Sequence, residues 1–339
     1  MARRIAAVVF AVAAIAVGIV IRNTEERGPR RSVPDKVDPY EIFDDDQVSI
    51  LCAPELAVLC ERLSQMVTKT RVEPTWTTVD RLADGGALGA DAWLTFRPLD
   101  EMAAARPGAT SLGPASPVGR SPIVMAGPPA AVATVRAACP DARVLLSCAG
   151  GVAAIQLMLR DPATSAVGAL ALAVLAEELK VAGPEQPADA GTASLVAVLD
   201  RSRSTPIPYQ DVARLQGNAL ALTLEADVGA WVNDLPYEQQ RDFDQAAILY
   251  PFEARGVEVV VVPARSFTRA NDLVRVLGSS SLLLALEGNG FEVPTRPPYL
   301  FPKRVYAGRP TIRYDLPPPP PARLRQLRAL SRSGDRAAP

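Results

Sequence analysis

From residue 48 onward the chain is built of short apolar blocks whose period changes from one to the next. The run VSIL, Val48 to Leu51, carries the signal of a short buried strand. Pro54 then opens a segment with Leu56, Leu59, Leu63 and Met66 on one face, which predicts an amphipathic helix. A second strand is expected near Arg71–Pro74, a helix over Thr77–Ala83 and a third strand over Asp91–Thr95. This β-α-β-α-β rhythm predicts a parallel sheet with covering helices. Proline and glycine interrupt the stretch after Ser111, and Ser121–Ala126 then reads as a strand. A helix is expected over Ala130–Ala138 and a strand over Arg143–Ser147.

The segment DPATSAVGALAL, Asp161 to Leu172, reads as a turn that opens a helix. Pro162 suits a first helical turn because it lacks an N–H and presets φ. Asp161, Thr164 and Ser165 can each accept from free N–H groups at a helix start. Gly168 and the alanines leave a thin face that packs closely or admits a ligand. A low-complexity loop follows over Ala182–Gly191, then a helix over Tyr209–Leu215 and a strand over Ala219–Leu224. Asp244–Tyr250 leads into a strand, and Gly256–Val262 is the strongest strand signal in the chain. Helices are expected over Arg269–Leu277 and Ser280–Gly288, with Gly288 and Gly290 suited to a C-cap and turn.

The two ends have another character. Residues 5–21 carry no charge, Arg3 and Arg4 precede them and Arg22 follows. Seventeen residues is short for a membrane span and long for a signal-peptide core. An uncleaved anchor over residues 1–22 is expected, with a cleaved signal as the alternative, and the rest of the chain outside the cytoplasm. Residues 23–46 are charged and proline-containing, a linker. Residues 316–339 hold a proline run and many arginines, and disorder is expected there.

Composition narrows the chemistry. The 36 basic and 37 acidic residues balance, so no basic footprint for nucleic acid is present. The chain has no histidine, which excludes histidine-based triads and removes the commonest metal ligand. No motif with catalytic spacing is present, and the expectation is a non-enzyme without cofactor or metal. Glu225 and Asp227, in LEAD, read as a solvated strand end. The cysteines Cys52, Cys60, Cys139 and Cys148 suit an oxidising compartment and admit three pairings. Cys52–Cys60 with Cys139–Cys148 is the local pairing. A strand over Arg143–Ser147 would hold Cys139 and Cys148 apart, so a Cys52–Cys148 bridge between domains is the sharper alternative. Free buried thiols are the third reading.

Six segments, in order, resemble the two-lobe periplasmic solute-binding proteins of bacterial ABC importers, the type II class. VSILCAPELAVL is similar to the first strand and helix, and DAWLTFRPL to the D-A-W strand. LGPASPVGRSPIVM resembles the segment that crosses to the second lobe, and DPATSAVGALAL the D-P-x-x-S-x-x-G helix start. ILYPFEARGVEVVVVP resembles the return crossing, and LEGNGFEVP the closing G-F-R-x-P. Together they cover about residues 47–298, and APEL is most similar to membrane-anchored actinobacterial members.

The resemblance implies an α/β fold of two lobes, each a mostly parallel sheet with flanking helices. Lobe 1 would comprise residues 47–122 and 256–315, and lobe 2 residues 123–255. A small molecule of unspecified class would bind at the strand C-termini between them. The implied cleft residues are Ala53 and Glu55 after the first strand, Phe96 and Arg97 after DAWLT, Ser121 at the crossover, Ser147 at a strand end, Thr164 and Ser165 at the facing helix, and Tyr250 near the return crossing. Glu55 would repel an anion there, and aromatic residues for sugar stacking are scarce. The implied function is capture of a solute for a permease at the cell membrane. The alternative is a degenerate binding fold serving as an envelope interaction module.

Overall fold

The computed structural model describes residues 48–66, 68–104, 111–162, 165–183, 186–187, 189–203, 218–234, 247–251, 255–293, 310–314 and 321–333. The expected anchor, linker and Tyr209–Leu215 helix lie outside these residues. Among the described residues no helix is long and apolar enough to cross a membrane.

The first strand, β1 (Val48–Cys52), leads through a single 3₁₀ turn at Pro54–Leu56 into α1 (Ala57–Met66). Pro54 fits because the first N–H of such a turn has no internal partner. Next come β2 (Thr68–Val72), α2 (Thr75–Ala83), β3 (Ala92–Arg97) and α3 (Leu99–Ala104). The β-α-β rhythm gives β1 parallel partners on both sides, β2 and β3.

The strand β4 (Ser116–Gly127) is the spine of the molecule. Its first half, Ser116–Pro122, pairs antiparallel with β8 (Gly256–Pro263), and from Ile123 it pairs with β6 (Ala219–Leu224). The partner changes at Pro122, where a missing N–H leaves no ladder bond unmade. A bulge between Pro117 and Gly119 accommodates the other proline. The strand therefore starts five residues before Ser121, the start expected from the sequence. The sheet order is β2-β1-β3-β8-β4-β6-β5, where β5 is Gln156–Met158, with β7 (Ala247–Leu249) also on β4. Parallel pairs sit toward its two ends and antiparallel pairs surround β4 and β8. Val259–Val262 and all of β6 are buried, as expected of strands covered on both faces.

Between β4 and β6 lie α4 (Pro129–Ala138), α5 (Leu145–Gly151), β5 (Gln156–Met158), α6 (Ala166–Glu178) and α7 (Ala190–Arg203). The strand expected over Arg143–Ser147 is instead a 3₁₀ turn and the start of α5. The half-buried carboxylate of Glu178 accepts from the Ser147 N–H at 2.7 Å and supplies this helix start with an acceptor. Burial pushes the Glu178 carboxyl above its ordinary pKa, against the pull of the Ser147 bonds. With no strand between them, Cys139 and Cys148 come within 5.8 Å (Cα–Cα) and form a disulfide, as do Cys52 and Cys60. The pairing is the local one, and neither Cys52–Cys148 nor free thiols occur.

After β6 the chain forms α8 (Glu225–Asp234), then β7 and β8, followed by α9 (Ala270–Leu277) and α10 (Ser280–Gly288). Gly290 takes a φ of +78°, a left-handed turn that an L side chain rarely adopts. The expected disorder at the C-terminus is overturned over Pro321–Ser333, which form a helix, α11, with Leu324 and Leu327 buried. It packs on α6 and α7.

Candidate functional site

The parallel strands end at places where charged residues collect. β1 ends just before Ala53, Pro54 and Glu55, and β5 just before Leu159, Arg160 and Asp161. β6 ends at Leu224, directly before Glu225. In open α/β sheets these carboxyl ends are where ligands bind.

The helix α6 starts later than the sequence suggests. Its N-cap is Ser165, whose Oγ accepts from Gly168 N at 2.9 Å, while Pro162 precedes the helix. A Cβ on Gly168 would stand 2.5 Å from the Arg160 carbonyl oxygen, so the thin face serves close packing against Arg160.

Glu55 reaches this helix start from the end of β1. Its Oε1 accepts from Ser165 Oγ at 2.6 Å and from Val167 N at 3.0 Å. The arrangement places a carboxylate on a helix N-terminus, where the free N–H groups and the dipole favour negative charge. The Glu55 side chain is only 2% exposed, and its Oε2 is buried without a hydrogen bond. Arg160 Nη1 lies 4.0 Å from Oε1, and Arg160 Nη2 lies 3.1 Å from Asp227 Oδ1. Asp227 in turn accepts from Thr223 Oγ1 and from Leu224 N, which closes the turn between β6 and α8. Ser121 Oγ accepts from Ala226 N at 3.0 Å at that same helix start. Tyr250 donates to Glu225 Oε1 at 2.8 Å and packs on the core made by Val124, Ala126 and Val228.

The structure therefore joins Glu55 and Ser165 directly, and through Arg160 and Asp227 it links them to the helix start that holds Ser121 and Tyr250. Ala53 contributes backbone only: its N–H donates to Leu94 O and its carbonyl accepts from Leu56 N. Three expected cleft residues stand elsewhere. Phe96 is core, fully buried with its ring 6.5 Å from that of Phe291. Arg97 is held by carboxylates, with Nη1 at 2.9 Å from Glu258 and Nε at 3.2 Å from Glu101. Ser147 lies in α5, its hydroxyl turned back to Val144 O. Thr164 lies outside the described residues.

Arg160, Val167 and Asp227 belong to the site and were not expected from the sequence. Arg160 escapes the sequence pattern because the apolar run RVLLS, not the short strand Gln156–Met158 before it, carries the stronger strand signal. The LEAD pair opens α8 and is not a solvated strand end; Glu225 is 2% exposed.

No family model and no curated protein sequence matches this chain. Solved structures do match. The periplasmic binding protein AfuA from Actinobacillus pleuropneumoniae, with fructose-6-phosphate bound, is similar at a TM-score of 0.52 and 13% identity over 86% of this chain and 99% of that one. The substrate binding protein of the ABC transporter from Agrobacterium tumefaciens is similar at a TM-score of 0.53 and 12% identity, over 87% and 94% of the two chains. These likenesses establish the fold, the two-lobe type II periplasmic-binding-protein architecture.

Proposed function

We propose that the chain is a solute-binding protein that captures a small molecule between its lobes, in the service of an ABC-type importer. Lobe 1 comprises residues 47–122 and 256–315, and lobe 2 residues 123–255, so β4 is one crossing and the chain leading into β8 the other. The N-terminal segment tethers the protein to the membrane with the lobes outside the cytoplasm, and a permease receives the solute. The protein binds; it does not catalyse.

The observation that carries this reading is the seam at Glu55. The end of β1 and the start of α6, 110 residues apart in sequence, meet carboxylate to hydroxyl. The strand-end edges of the lobes thus face one another across a polar contact. A rotation about the β4 crossing parts Glu55 from Ser165 and Val167. It uncovers a carboxylate on one lobe and a helix N-terminus with Arg160 on the other. Hinge closure of this kind is the usual way such lobes trap a ligand.

A thermal-shift screen of the purified protein tests the reading. Amino acids, peptides, sugars, sugar phosphates, polyamines, oxyanions and organic acids are the classes to supply. A solute at 100 times its dissociation constant adds about 2.7 kcal/mol of stability. The expected result is a shift with one class that Ser165→Ala or Arg160→Ala abolishes. A flat screen across every class contradicts solute capture and turns the fold into an envelope interaction module.

A further inference from the structure

The C-terminal part of the chain touches both lobes. Residues 310–314 run beside the crossing: Gly256 N donates to Arg313 O at 2.8 Å, opposite the point where β4 changes partner at Pro122. Tyr314 donates to Glu292 at 3.1 Å, and the Arg120 guanidinium lies 4.9 Å from the Tyr314 ring. Arg120 also pairs with Glu292 at 3.3 Å, so this contact fastens the segment to β4 itself.

Beyond it, α11 makes two separate attachments. On lobe 2 it lies on α6 and α7, with Leu324 and Leu327 buried. Arg323 donates to the carbonyls of Val181 and Ala182, just past the end of α6, and Gln326 donates to Ala182 O at 3.1 Å. A guanidinium there meets carbonyls of the turn that follows α6, and its charge lies near the negative end of the helix dipole. On lobe 1 the tie is made through Arg328. Arg328 donates to Asp80 Oδ2 at 2.9 Å and stacks 5.0 Å from the centre of the Trp76 ring, both on α2. Trp76 is buried, so the guanidinium caps a ring face at the edge of the lobe 1 core.

We infer that α11 is a strap that holds the lobes together and must let go of α2 when the cleft opens. The inference rests on the two-lobe reading above. On lobe 2 the helix buries two leucines and hydrogen-bonds two carbonyls, whereas the Arg328 tie to lobe 1 is polar and sits at the rim of α2. Opening therefore breaks the Arg328 contact first and leaves α11 docked on α6 and α7. The strap is a third connection beside the two crossings, and it lowers the fraction of open protein available to a solute.

The test is amide hydrogen exchange followed by NMR on the full chain. The Val167 amide bonds to Glu55 across the seam, and the neighbouring Gly168 amide bonds to Ser165 within lobe 2. Opening exposes the first and spares the second. Arg328→Ala is expected to speed Val167 exchange about five- to tenfold with Gly168 unchanged, the effect of losing one partly buried cation–ring and ion-pair contact. Asp80→Asn keeps the helix intact and is expected to act in the same direction, more weakly. Unchanged Val167 exchange in both variants overturns the strap, provided wild-type Val167 exchanges faster than the slowest core amides. Wild-type Val167 exchanging only with those slowest amides overturns the opening of the lobes itself, and the strap with it. Equal acceleration of Val167 and Gly168 marks a general loss of stability and also overturns the strap.

Discussion

Removing the Glu55 carboxylate is the sharpest perturbation of the seam. Glu55→Ala deletes two hydrogen bonds to a charged acceptor, from Ser165 Oγ at 2.6 Å and Val167 N at 3.0 Å. Bonds to charged groups contribute about 1.5–3 kcal/mol each. A carboxylate at a partly buried helix N-terminus adds up to about 2 kcal/mol. Against this stands the cost of burying a charge whose Oε2 accepts no bond, several kcal/mol per buried ion. Arg160 offsets part of that cost from 4.0 Å. The balance is a loss of about 2–4 kcal/mol. The assay is urea unfolding of Glu55→Ala, Ser165→Ala and the double variant. The two residues share one hydrogen bond, so their effects should couple by about 1–2 kcal/mol. Additivity within about 0.5 kcal/mol refutes the contact across the seam.

Three further outcomes are expected. Burial raises the Asp100 carboxyl from 3.8 to about 6, against the pull of Arg97, so its contribution to stability is full below pH 3.8 and lost as pH rises through 6. Asp100→Asn should match the wild type in urea unfolding near pH 3.5 and exceed it by about 3 kcal/mol above pH 7; a pH-independent difference refutes the assignment. Gly168→Ala, with its Cβ 2.5 Å from the Arg160 carbonyl, should cost about 1–3 kcal/mol in the same assay, and no loss would mean the helix is not packed as described. The disulfides Cys52–Cys60 and Cys139–Cys148 close loops of sequence separation 8 and 9, so reductant should lower unfolding free energy by about 2–3 kcal/mol per bond.

The elements legible in the sequence are those whose residues decide the matter locally. GVEVVVV is rich in β-branched residues and forms β8, and VSIL and DAWLT, each beside turn or helix signals, form β1 and β3. The failures have physical causes. RVLLS is a short apolar run that periodicity cannot assign, and a distant carboxylate, Glu178, tips it toward helix. The prolines of β4 disguise a long strand, because one sits at a bulge and the other where the partner changes. Arginine density at the C-terminus masks the Leu324 and Leu327 pair, whose three-residue spacing is the helical signal. At the site, Ser165 could be read from its capping position, which is a local property. Glu55 was legible as a cleft residue after β1, but not as the partner of Ser165, because what joins them is the turn of the sheet at β4.

The distance between the lobes shows whether they part at the Glu55 seam. Fluorophores carried by non-natural residues at exposed Lys69 on β2 and Arg136 on α4 report it, in wild type and in Glu55→Ala, by single-molecule energy transfer. One short-distance population is expected in wild type, and a second, longer one in Glu55→Ala that the solute found in the thermal-shift screen returns to the short distance. A single unchanged distance in both proteins would show lobes that do not part at the Glu55 seam, and would contradict capture of a solute between them.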